Sequence, residues 1–164
     1  MKTAPASSAN NKTPFQFPLD LSEWVPAETL WHWSQAEVES LNWSDPEVTR
    51  FLERQPQGHP KELLQALGFA YATGLFASDE ISRSWPVHPF LKQLIPADNP
   101  DPTLIERFRR ENRGLLKWLI VQLLKRVFRE RFSWDQLMPA GLKRGIVEEA
   151  VARLDIARHM DRGD

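Results

Sequence analysis

No segment of this chain alternates apolar and polar residues with the period of two that a half-buried strand needs. Apolar residues instead recur at spacings of three and four, and the intervals between such runs carry helix start signals. The pattern predicts an all-α fold, a compact bundle of about six to eight helices. Pro26 leads into one helix, and Ser34 with Glu37 three residues on reads as a capping box that starts a second. Ser44, Asp45 and Pro46 open another, with Val48, Phe51 and Leu52 as its apolar stripe, and residues 55–60 read as a loop. Over 60–75, Leu63, Leu64, Leu67, Ala70, Tyr71 and Gly74 make a helix apolar over much of its surface, which places it at the centre. Ser78 caps a short helix to about Ser84. Thr103, with Glu106, caps what reads as the longest helix, and a last one spans about 140–160.

The first 14 residues are Ser, Ala, Asn, Lys, Thr and Pro with little to bury, so a disordered tail is expected there. They lack the apolar stretch of a signal peptide. The longest apolar run, Trp118 to Leu124, falls far short of the roughly 20 residues that cross a bilayer, so a cytoplasmic protein without a membrane partner is expected. The absence of cysteine removes disulfide scaffolds, thiolate metal sites and thiol nucleophiles. His32, His59, His88 and His159 lie in four separate elements without the spacing of a helical metal site, and no glycine loop for phosphates is present. No metal or cofactor is expected, and His59 and His88 are expected at the surface. The seven tryptophans (Trp24, Trp31, Trp33, Trp43, Trp85, Trp118 and Trp134) are scattered rather than interleaved with Lys or Arg, which favours core packing over base stacking.

The net charge of −1 hides an uneven distribution. Residues 104–131 hold 9 basic and 3 acidic side chains, while every other part of the chain is mildly acidic. Within that segment Arg107, Arg109, Arg110, Arg113 and Lys117 form the candidate DNA-binding set. On this long helix Arg110, Arg113 and Lys117 share a sector of about 60°, with Arg107 roughly 60° beyond, opposite the Phe108–Leu119 stripe, an arrangement that suits contact with a phosphate backbone. The bland alternative is a solvated helix face partly paired with Glu106 and Glu111. Further along, Trp118, Val121, Leu124 and Phe128 project onto the side that was wet in the first half. Either helix 140–160 or the N-terminal helices cover them, or they form a partner surface for a second copy or a separate catalytic subunit.

The ordered landmarks are Val25-Pro26-Ala27-Glu28-Thr29-Leu30, Gly58-His59-Pro60, Leu63-Leu64-Gln65-Ala66-Leu67, Tyr71-Ala72-Thr73-Gly74, Ser78-Asp79-Glu80-Ile81, Phe90-Leu91, and Asp101 through Arg109. Together, over about residues 24–124, they resemble the N-terminal helical domain of bacterial insertion-element transposases of the DDE class. The resemblance implies a domain over 15–131, followed by a helical extension over 132–164. It also implies binding to double-stranded DNA at the ends of a mobile element and a role in assembling the complex. The chain departs from the family at Asp79-Glu80 and at His59, where basic residues are usual, and both departures lower the positive charge. The family's catalytic acids sit on an RNase-H-like α/β domain, and the residues after 124 read as helix, so no enzymatic activity is expected of this polypeptide. The competing expectation is a protein-interaction or dimerisation domain with no DNA role.

Overall fold

The computed structural model describes residues 16–42, 44–46, 48, 50, 60–94 and 100–162. The expected tail, Phe51, Leu52, Trp43 and the loop with His59 lie outside the described residues. The architecture is all-helical, without strands among the described residues. Six helices are bounded there: α1 (Ala27–Glu39), α2 (Pro60–Ala72), α3 (Ser78–Ser84), α4 (Pro102–Glu111), α5 (Arg113–Phe132) and α6 (Ala140–Arg162).

The central position expected for α2 holds. Every residue from Leu63 to Ala72 is buried, and α2 packs against α1, α4, α5 and α6. Gly68 lets α5 approach closely, because a Cβ there would stand 2.3 Å from Cδ2 of Leu119. The helix stops three residues earlier than its periodicity suggests. Gly74 adopts φ 84°, and the Leu75 N–H donates to the Ala70 carbonyl at 2.9 Å, a C-terminal capping arrangement that needs the left-handed glycine.

Three local expectations are corrected. Ser34 does not start a new helix; its hydroxyl donates to the Trp31 carbonyl at 2.7 Å, within a continuous α1. Thr103 is not the cap of α4. Asp101 is, its carboxylate accepting from the Leu104 N–H at 2.8 Å with Pro102 as the first helical residue. The long basic helix is two helices. Asn112, at φ −124° and ψ 32°, interrupts it, and its side-chain amide donates to the Phe108 carbonyl at 3.0 Å. Asn competes for backbone groups and Gly114 is a poor helix former, so two weak positions fall within one turn.

α6 shares the core of the rest. Leu142, Ile146, Ala150, Leu154 and Ala157 line its inner face and pack in the same apolar cluster as α2 and α5. A buried cation ties this helix to the remainder. Arg153 is fully buried and donates to the carbonyls of Pro18 (2.7 Å), Leu19 (2.8 Å), Tyr71 (2.8 Å) and Ala72 (3.3 Å), with Glu149 at 2.9 Å on its Nε. Burial pushes its pKa down, and the Glu149 carboxylate holds it up. One guanidinium thereby joins the lead-in segment, the end of α2 and the middle of α6.

The tryptophans serve the core: Trp31 and Trp85 are buried, and Trp24, Trp33, Trp118 and Trp134 pack partly buried against it. His88 is not simply a surface residue. It is half-buried edge-on to Phe69, and its Nδ1 accepts from the N–H groups of Phe90 (3.1 Å) and Leu91 (3.3 Å).

Candidate anion-binding cleft

Three of the four apolar side chains for which either a covering helix or a partner was expected are inside the protein. Leu124 and Phe128 are at most 1% exposed, Val121 is buried, and Trp118 is half-buried against the core. The covering helices are α1, α2 and α6, which all pack on α5. Exposing Leu124 or Phe128 to await a partner would cost about 1.5–3 kcal/mol each, so the fold covers them itself.

The basic set is divided by the break at Asn112. Lys117 is exposed and faces a groove with Leu41, Asn42, Asp45 and Glu111. Arg107 is half-buried, outside that groove. Arg109, Arg110 and Arg113 instead turn towards the C-terminal end of α6. The single sector that assumed a continuous helix therefore does not form.

Arg109 is corrected outright as a surface contact. Its side chain is 8% exposed and forms an ion pair with Asp161, itself 3% exposed. The same carboxylate accepts from the Ser78 N–H and the Ser78 hydroxyl, each at 2.7 Å. Asp161 thus fastens α3 and α4 to the end of α6, placing negative charge at the start of α3, where the helix dipole favours it. The Tyr71 hydroxyl lies beside this pair. Burial pushes its ionisation well above the ordinary tyrosine range, against the pull of Arg109 and with the push of Asp161. Arg109 stands close enough to act on that hydroxyl electrostatically, yet the geometry for a hydrogen bond is not met. Tyr71 is therefore a neutral member of the cluster.

Other cations of the 104–131 segment also have internal roles. Arg126 donates to Glu37 at 2.7 Å and stands over the Trp33 ring, and Arg131 stands over Trp24. The field read from the sequence is accordingly weaker on the folded surface than the segment's excess of positive charge suggests.

What remains is concentrated. A cleft of about 330 Å³ opens where the last turn of α4, the first residue of α5 and the last turns of α6 meet. Arg109, Arg110, Arg113, Arg158 and Arg162 line it, against the carboxylates of Glu106 and Asp161. One oxygen of Asp155 serves two guanidiniums, Arg113 at 3.0 Å and Arg158 at 3.7 Å. Arg110 is exposed, and neither it nor Arg162 has a carboxylate partner among the described residues. The Nε atoms of Arg109 and Arg158 are buried with no acceptor. Two N–H donors thus lack the hydrogen bond that burial ordinarily demands.

Sequence reasoning missed Arg158 and Arg162. Their spacing of four at the end of α6 puts them on one face, but the −1 balance of residues 132–164 concealed them. Among the described residues no three His, Asp or Glu side chains gather as metal ligands, and no helix is long and apolar enough to cross a membrane. Comparison with protein-family models, curated proteins and solved structures found no match.

Proposed function

We propose that this protein is a DNA-contacting and assembly module of the transposase N-terminal type, gripping phosphates through the arginine cleft and performing no catalysis with these residues. The observation that carries the reading is the convergence of four accessible guanidiniums, Arg110, Arg113, Arg158 and Arg162, from three helices on one cleft lined by only two carboxylates. Arginine presents a planar fork of donors that matches phosphate oxygens, and it stays charged at any physiological pH. The order of landmarks over residues 24–124 supplies the second support, since the domain they resemble is thought to bind the ends of its element.

Backbone contact releases counterions, so each phosphate neutralised contributes roughly −0.9 to the slope of log affinity against log salt. With Arg110, Arg113, Arg158 and Arg162 engaged, titration of duplex DNA should give a slope of about −3 to −4. Changing Arg110, Arg158 and Arg162 together to Gln should flatten it to about −1 and weaken binding to all sequences alike. Affinity indifferent to salt, or no binding at low salt, removes the reading.

A further inference from the structure

We infer that the cleft is a seat for a phosphomonoester dianion, one terminal phosphate group, rather than a track for the diester backbone alone. The inference rests on the phosphate-contact reading above and specifies which phosphate the cleft prefers.

Charge is the first argument. Arg113 and Arg158 converge on a single carboxylate oxygen, Asp155 Oδ1, while Arg110 and Arg162 add positive charge with no carboxylate of their own among the described residues. Like charges gathered this closely repel unless an anion joins them, and a dianion relieves roughly twice what a monoanion does. Glu106, Asp155 and Asp161 relieve only part of this, three carboxylates against the five guanidiniums of Arg109, Arg110, Arg113, Arg158 and Arg162.

Shape is the second argument. The cleft is walled by three helices rather than by one exposed face. A terminal phosphate brings three non-bridging oxygens and one ester arm, so its oxygens can face three walls while the arm leaves by the mouth. A diester brings two such oxygens and two arms, and both arms must leave. The geometry therefore favours the terminal group, whether it belongs to a free phosphate ester or to the end of a polynucleotide strand.

The test uses the full chain, isotopically labelled, with arginine Nε–H signals as the readout. Methyl phosphate and dimethyl phosphate are the probes, being the smallest monoester dianion and diester monoanion. Methyl phosphate should move the Arg109 and Arg158 signals saturably, with an affinity roughly tenfold above that of dimethyl phosphate. The effect should vanish in R158Q and R162Q, whose side chains are exposed enough for the fold to persist. A second arm compares one oligonucleotide carrying a 5′-terminal phosphate with the same strand ending in a hydroxyl. A tenfold gain from the terminal phosphate assigns the seat to strand ends, while no gain alongside methyl phosphate binding assigns it to a free ester. Equal affinity for the two small esters, no saturable shift, or shifts that survive both substitutions overturn the inference. Should duplex DNA still bind with a steep salt dependence in that case, the function proposed above stands without the seat. Methyl phosphate binding without duplex binding does the reverse.

Discussion

α6 carries two arginine environments that differ in almost every respect. Arg153, in its middle, is fully buried, yet every guanidinium nitrogen has an acceptor in Glu149 or a backbone carbonyl. Arg158 and Arg162, near its end, are half-buried and exposed respectively, and their surroundings hold more cations than carboxylates. A buried charge with all its partners is a structural joint. An accessible cluster with excess charge and spare donors is poised for something that arrives from outside. Burial alone would rank the two sites the other way round.

The comparison predicts opposite consequences for substitution. Arg153→Met should cost about 3–5 kcal/mol of folding stability, because four carbonyls and Glu149 lose their partner inside the protein. Chemical denaturation would measure it, and a loss below 1 kcal/mol would mean that the network is ornamental. Asp161→Asn tests the boundary between the two environments. It should cost roughly 1.5–3 kcal/mol by weakening the charged hydrogen bonds to Ser78 and Arg109. It should also tighten anion binding, since one of the two carboxylates lining the cleft is neutralised. A variant both less stable and weaker in binding would show that Asp161 shapes the cleft more than it opposes the ligand.

The helical content of the molecule was legible in residue order, and the reasons are local. The apolar spacing over Leu63 to Tyr71 predicts a buried central helix, and the structure has one. The end of α2 was less legible because Gly74 fits the apolar pattern as a small residue while serving as a left-handed cap. The break at Asn112 could be suspected from Asn and Gly two residues apart, but propensity is weak evidence against a helical pattern that continues on both sides. The cleft was the least legible part. Two of its five arginines belong to α4, one to α5 and two to α6, more than forty positions along the chain, and only the packing of α6 on α5 brings them together. Of the two readings offered for Val121, Leu124 and Phe128, cover by the N-terminal helices and by the last helix is the one the structure has.

A smaller stability effect should accompany substitution within the cleft. R110Q and R162Q should each change folding stability by less than about 0.5 kcal/mol, as surface replacements do. Each should lower duplex affinity at low salt and reduce the salt slope by roughly 1. Arg113 and Arg158 should behave as intermediate cases, because they are 40% and 43% exposed and share Asp155. Their replacement should lose some stability as well as affinity. If R158Q or R162Q destabilises the fold as much as Arg153→Met does, the distinction between joint and cleft collapses.

The slightest expected effect concerns pH and serves as the control for both environments. Arginine does not titrate between pH 8 and 5, so neither site should make stability change across that range on its own account. His88 should. Burial lowers its pKa from the ordinary value of 6.5, and its Nδ1 must stay unprotonated to accept from Phe90 and Leu91. The folded protein thus takes up the proton less readily than the unfolded chain does. The stabilising contribution is complete above about pH 6.5 and declines as pH falls through that value towards the lowered one. His88→Asn offers a carbonyl oxygen in place of Nδ1 and does not titrate, so it should flatten this acid limb while leaving phosphate binding at pH 8 unchanged. An acid limb that persists unaltered in the variant would show that His88 is not the group that sets it.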